Sequence, residues 1–167
     1  MRRVVGEGVI LEPQLAAHAA ELYAVIGDPG LYTYIDQKEP ASEEALRARL
    51  GKLESRLSGD GTEDWLNWIV RNRAGELVGY VKATVTSDHS AEIAYVLGSA
   101  HWRKGYATAA CRAMIGELRT SYGVTRLTAT LDPQNAASLA LLCKLGLGLA
   151  WENPAEQEVG YALDVYP

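Results

Sequence analysis

The stretch Val96-Leu97-Gly98-Ser99-Ala100-His101-Trp102-Arg103-Lys104-Gly105-Tyr106-Ala107-Thr108 constrains this chain more than any other. An apolar strand ends at Leu97. A short turn follows, then Arg103 and Lys104, then Gly105, where a helix begins. A strand that feeds a helix through a glycine corner belongs to an architecture of mixed strands and helices. The corner brings together free backbone N–H groups, the positive end of a helix dipole and two cations. A diphosphate is the natural guest of such a place. The formal net charge of the chain is −5, so this positive spot stands against an acidic background.

The same acidic balance excludes nonspecific nucleic-acid binding, which needs clustered Lys and Arg. A length of 167 residues predicts one domain, residues 1–167, with room for a substantial core. Cys111 and Cys143 lack metal or redox spacing and are expected to be reduced, core-facing thiols. His18, His89 and His101 share no metal-ligand spacing, so no metal is expected. Met1-Arg2-Arg3 is followed by an apolar run broken at Gly6-Glu7-Gly8, which does not read as a signal peptide. No apolar run approaches the roughly 20 residues of a membrane span. A cytoplasmic protein without a membrane partner is the expectation.

Periodicity gives the order β-α-α-β-β-β-α-β-α-β-β, an α/β chain with a mixed sheet. Val4 to Leu11 reads as the first strand, residues 14–26 and 42–57 as amphipathic helices, and 65–71, 77–86 and 91–97 as successive antiparallel strands. Ser42 is placed to cap the second helix, with Leu46, Leu50, Leu53 and Leu57 as its buried stripe. A helix over roughly 105–121 follows, then a strand over 124–131, a helix over 135–145 closed by Gly146, and two late strands, 149–152 and 159–165.

Neither GxxxxGK[ST] nor GxGxxG occurs, and the corner by itself is also compatible with a plain strand-to-helix turn. The segment Thr130-Leu131-Asp132-Pro133-Gln134-Asn135-Ala136-Ala137-Ser138 through Lys144-Leu145-Gly146-Leu147 adds a strand, an Asn-led helix and a Gly stop. With it the chain resembles the GNAT acetyltransferases over nearly its whole length, most closely their branch similar to ribosomal-protein-alanine N-acetyltransferases. Leu11-Glu12-Pro13 and the segment from Leu22-Tyr23 to Asp28-Pro29 also fit that branch.

The resemblance implies the GNAT fold: a mixed, mostly antiparallel sheet flanked by helices. It implies acetyl-CoA as cofactor, its pyrophosphate held by the backbone of Trp102, Arg103, Lys104, Gly105, Tyr106, Ala107 and Thr108. It lays pantetheine along Tyr95, Val96 and Leu97, with Asn135 and Ser138 on the facing helix. Trp102 stands where relatives carry Gln or Arg. Leu142 stands seven residues after Asn135, where many relatives carry a Tyr general acid, and Leu147 replaces a customary Phe.

The implied reaction moves an acetyl group from a thioester to a primary amine, a peptide N-terminus or a small molecule, by direct attack in a ternary complex. An alkyl amine keeps its proton to about pH 10, so a base is useful. Glu92 is the candidate base, and Ser138 the candidate hydrogen-bond donor near the sulfur. A backbone N–H from the splayed strand end around Tyr95–Leu97 would meet the developing oxyanion. Asn135 can cap its helix, contact pantetheine, or both. Lys144 reads as a helix C-terminal lysine. Tyr32, Tyr34, Trp65 and Trp68 are the aromatic candidates for the acceptor site, although at least half of them are expected to pack in the core. Glu152, Glu156 and Glu158 form an acidic late loop that could attract a cationic amine, with a plain solvated loop as the other reading. The absent Tyr at position 142 keeps a second reading in view, a noncatalytic acyl-CoA-binding regulatory module. A monomer or homodimer is expected.

Overall fold

The computed structural model of the chain describes residues 1–35 and 38–165. Strands β1 (Val4–Val5) and β2 (Val9–Pro13) form a hairpin, with Val4 opposite Leu11. The expected single first strand is therefore two. Gly8, at φ +78°, lets the chain reverse, and Gly6 donates to the Val9 carbonyl at 2.9 Å. A short 3-10 turn, Ala16–His18, leads into helix α1 (Ala19–Ile26). Helix α2 (Glu43–Leu53) is capped by Ser42, whose Oγ accepts from the Ala45 N–H at 3.0 Å. It ends earlier than its leucine pattern suggests. Leu46 and Leu50 are buried, while Leu57 pairs with Asp64 in an isolated bridge and is exposed.

Strands β3 (Asp64–Asn72), β4 (Leu77–Val85) and β5 (Ser90–Leu97) form an antiparallel meander. Helix α3 (Tyr106–Tyr122) returns the chain to β6 (Arg126–Leu131), which runs parallel to β5. Helix α4 (Ala136–Leu145), β7 (Gly148–Asn153) and β8 (Glu158–Asp164) complete one eight-stranded sheet, in the order β1-β2-β3-β4-β5-β6-β8-β7.

Strand alternation gives the sheet two apolar faces. Trp68, Val81, Ile93 and Leu127 pack with Met114 and Leu118 of α3 and Leu142 of α4. Ile69, Tyr80 and Val96 pack with Leu22 and Ile26 of α1 and Leu46 and Leu50 of α2. Cys111 lies in the first core. Cys143 is exposed on α4, contrary to the expected core-facing thiol.

Candidate acceptor and cofactor cleft

The site begins where β5 and β6 part. Their parallel pairing ends at Glu92 opposite Thr128, although β5 continues to Leu97 and β6 to Leu131. A V-shaped gap opens toward the C-terminal ends of both strands. β5 remains paired with β4 throughout, from Ala91 opposite Val85 to Leu97 opposite Gly79. Gly98 donates to the Val78 carbonyl at 3.0 Å. That fixes the antiparallel hydrogen-bonding rungs at Val96 and Ala94, so the amides of Tyr95 and Leu97 face the gap. A cavity of about 820 Å³ occupies the V.

At the mouth, a 3-10 turn at Ser99–His101 leads to the corner. The Trp102 Nε1–H donates to the Leu97 carbonyl at 2.8 Å and caps the end of β5. Gly105 is the N-cap of α3 at φ +83°, with no side-chain cap, and a Cβ placed on it would meet no atom within 4 Å. Among the described residues, the amides of Arg103, Lys104, Gly105, Tyr106, Ala107 and Thr108 have no acceptor. The next amide, Ala109, already bonds to the Gly105 carbonyl at 3.1 Å. Arg103 and Lys104 are exposed at the same point, and neither is in an ion pair among the described residues. Unpaired amides, the positive end of a 17-residue helix and open space in front of Gly105 fit an anionic diphosphate.

The walls of the V come from both sheet and helix. Asn135 caps α4, its Oδ1 accepting from the Ser138 N–H at 3.1 Å, and its Nδ2 has no acceptor among the described residues. Capping and ligand contact are therefore compatible in one side chain. Ser138 lines the cavity. From the opposite wall the Tyr95 hydroxyl donates to the Ser138 carbonyl at 3.3 Å, and burial pushes this phenol up to about 12. Tyr80 also lines the cavity and is pushed up to about 12 by burial. Both phenols stay protonated donors at any physiological pH.

Glu92 stands at the vertex of the V, exposed and lining the cavity. It alternates with Ala94 and Val96, and Val96 packs on α1 and α2. Glu92 therefore projects on that face of the sheet. Tyr34 lines the cavity from the loop after α1. The other aromatic candidates do not. Trp68 is 0% exposed and sits under α3, its Nε1–H donating to the Arg2 carbonyl at 3.0 Å. It is a core residue and cannot touch an acceptor. The Tyr32 hydroxyl donates to the Ile26 carbonyl at 2.8 Å, and the Trp65 Nε1–H to Glu63 at 2.9 Å. His101 faces Glu76 at 3.8 Å.

Trp151, which no sequence pattern marks, lines the cavity, and so do two of the acidic residues expected near the end of the chain, Glu156 from the turn and Glu158 from the start of β8. The signal for Trp151 is faint: a Gly at position 160 that nothing in the hairpin's turn chemistry requires. No group of three or more His, Cys, Asp or Glu side chains among the described residues could hold a metal ion.

A family model described as an acetyltransferase (GNAT) domain matches residues 9–148. The chain thus belongs to the GNAT acetyltransferase family, a family of transferases that use acetyl-CoA. Among curated proteins it is similar to an uncharacterized N-acetyltransferase, p20, of Bacillus licheniformis: 38% identity over 66% of this chain and 63% of that one. The chain spans only 60% to 63% of the length of the curated relatives it matches. Among solved structures it is similar to Mycobacterium smegmatis RimJ in complex with CoA-disulfide, with TM-score 0.79 and 22% identity, covering 97% of this chain and 85% of that one. It is also similar to RimL, a ribosomal L7/L12 α-N-protein acetyltransferase in complex with coenzyme A, with TM-score 0.81 and 16% identity, covering 95% and 94%. These likenesses establish the shared fold.

Proposed function

We propose that this chain is an acetyl-CoA-dependent N-acetyltransferase that acetylates a primary amine by direct attack in a ternary complex. The observation that carries the reading is the row of acceptor-free amides at Arg103–Thr108, opening onto a V that ends at a free carboxylate. Acetyl-CoA, when bound, supplies an acetyl thioester whose sulfur leaves as a thiolate.

The chain's own residues do the rest. The amides of residues 103–108 hold the diphosphate, and Arg103 and Lys104 balance its charge. The Asn135 amide and the free rungs of β5 orient the pantetheine arm in the V. The Tyr95 N–H faces the gap where oxygen charge develops and stabilises it. Glu92 takes the proton from the acceptor nitrogen, directly or through one water. The Ser138 hydroxyl offers a hydrogen bond to the leaving sulfur, which softens the loss of a Tyr at position 142, while the Tyr95 phenol, committed to the Ser138 carbonyl, steadies the start of α4.

A peptide N-terminus and a small amine both satisfy this chemistry. A peptide N-terminus has the support of the neighbouring RimL fold, and a small amine that of a cavity of about 820 Å³, a size usual for small-ligand sites. Thiol release from acetyl-CoA, measured with panels of amines and N-terminal peptides, tests the proposal. Acceptor-dependent release is expected. Tight CoA binding with no release for any acceptor of the panel would instead favour the noncatalytic module.

A further inference from the structure

Strand β7 carries a bulge between Leu149 and Trp151: Leu149 lies opposite Tyr161, but Trp151 lies opposite Gly160. Strict alternation would send Trp151 to the same face as Leu149. The bulge turns it to the opposite face, that of Glu92 and the cavity. The indole then lies flat against the backbone of Gly160. A Cβ there would come within 2.1 Å of Trp151 Cε2 and Nε1. No residue other than glycine fits under that ring. Trp151 is nonetheless 45% exposed, its free surface forming a wall of the cavity. A large aromatic ring that is seated so closely and left half open is built to receive something.

The charges around the cavity are sorted. Lys82 lies on β4 opposite Ala94, diagonal to Glu92 on the same face. It disfavours a second positive charge near the reacting nitrogen. At the other end Glu158 lines the cavity half-buried, and no described residue bonds to its carboxylate. Glu156 is held there by the Asn153 amide at 2.9 Å. Gly160 pairs with Thr130, two residues beyond Thr128, which pairs with Glu92. Strand spacing and rise then put the Trp151 platform about 12 Å from the Glu92 backbone.

We propose, on the transferase reading above, that the acceptor is an elongated amine with a second positive charge. That charge sits on the Trp151 face beside Glu158, while the nitrogen to be acetylated lies at Glu92. Cation–π contact and an unpaired carboxylate recognise such a group together. Trp151 is the residue that determines specificity.

The test compares 1,8-diaminooctane with octylamine, equal in length and different only in the second charge. Wild-type kcat/KM is expected to favour the diamine at least tenfold. In Trp151→Leu the ratio is expected to fall toward one, while the CoA dissociation constant stays unchanged. Gly160→Ala keeps the ring but displaces it, and should lose the preference in the same way. A wild-type ratio near one, or a ratio that survives both substitutions in folded protein, overturns the proposal. Calorimetry of both amines against the CoA complex separates the two claims. Diamine-selective binding without turnover defeats the transferase reading and leaves the Trp151–Glu158 cation site standing, whereas turnover without selectivity does the reverse. Free polyamines and peptides with a basic residue near the N-terminus share this chemistry. Spermidine outrunning an Ala-Lys peptide assigns the former, and the converse assigns the latter. A peptide with no basic residue outrunning both contradicts the proposal.

Discussion

At the scale of single residues, two positions separate binding from chemistry. Gly105 adopts φ +83° with open space around it. Gly105→Ala should therefore cost only backbone strain, about 1 kcal/mol. Gly105→Glu places a carboxylate where the diphosphate belongs, and should abolish CoA binding in calorimetry while circular dichroism stays unchanged. Glu92 touches no anion site, so Glu92→Gln should leave CoA affinity within about twofold. It should lower kcat about a hundredfold near neutral pH, with the deficit shrinking as pH approaches the amine's own range near 10. An unaltered rate between about pH 6 and 9 would remove Glu92 from the mechanism. The two cysteines make a further contrast. Burial pushes the Cys111 thiol up to about 12, whereas Cys143 is exposed. A disulfide reagent should titrate one thiol in native protein and both in denaturant.

At the scale of elements, α3 joins the cofactor corner to the core, since it begins at the amides and buries Met114 and Leu118. Leu118→Ala should destabilise the protein by about 2–5 kcal/mol, read from denaturant unfolding. The meander strands β3–β5 and helices α3 and α4 were legible in the sequence, because hydrophobic period, turn residues and caps agree there. Asn135, Gly105, Gly123 and Gly146 mark helix ends where the structure has them. The C-terminal end of α2 and the break in the first strand were not legible. A leucine repeat carries on past Leu53 even though the helix does not, and Gly8 turns a strand into a hairpin through backbone freedom alone. The corner amides were readable because strand, glycine and helix follow one another in sequence, whereas Glu92 was a candidate only through the family resemblance. Trp151 was not. Its direction depends on a bulge and on a glycine in the neighbouring strand, and neither leaves a local pattern. Trp68 was misplaced for the same reason: an aromatic on a strand looks alike on either face until packing chooses one.

At the scale of the molecule, two cores hold one sheet that splits between β5 and β6. On the proposed reading, the face of α3 and α4 carries the cofactor corner, and the face of α1 and α2 carries the acceptor wall. The Ser99 hydroxyl ties them, donating to Asp28 at 2.7 Å across the mouth. Asp60 and Asp88 are held down to about 2 by side-chain and backbone hydrogen bonds, and the bonds from Ser99 and Gly30 depress Asp28 too. The folded values of these groups lie below their unfolded ones. Their contribution is thus present above about pH 4 and lost as pH falls toward 2. Asp88→Asn should flatten the loss of stability between about pH 4 and 2, measured by urea unfolding across that window.

The central claim is that the amides of residues 103–108 bind the cofactor's diphosphate. Backbone amide resonances followed by nuclear magnetic resonance during a CoA titration test it most directly. Downfield shifts concentrated at Arg103 through Thr108, saturating together, are the predicted result. Saturation of CoA binding with those resonances unmoved would contradict it.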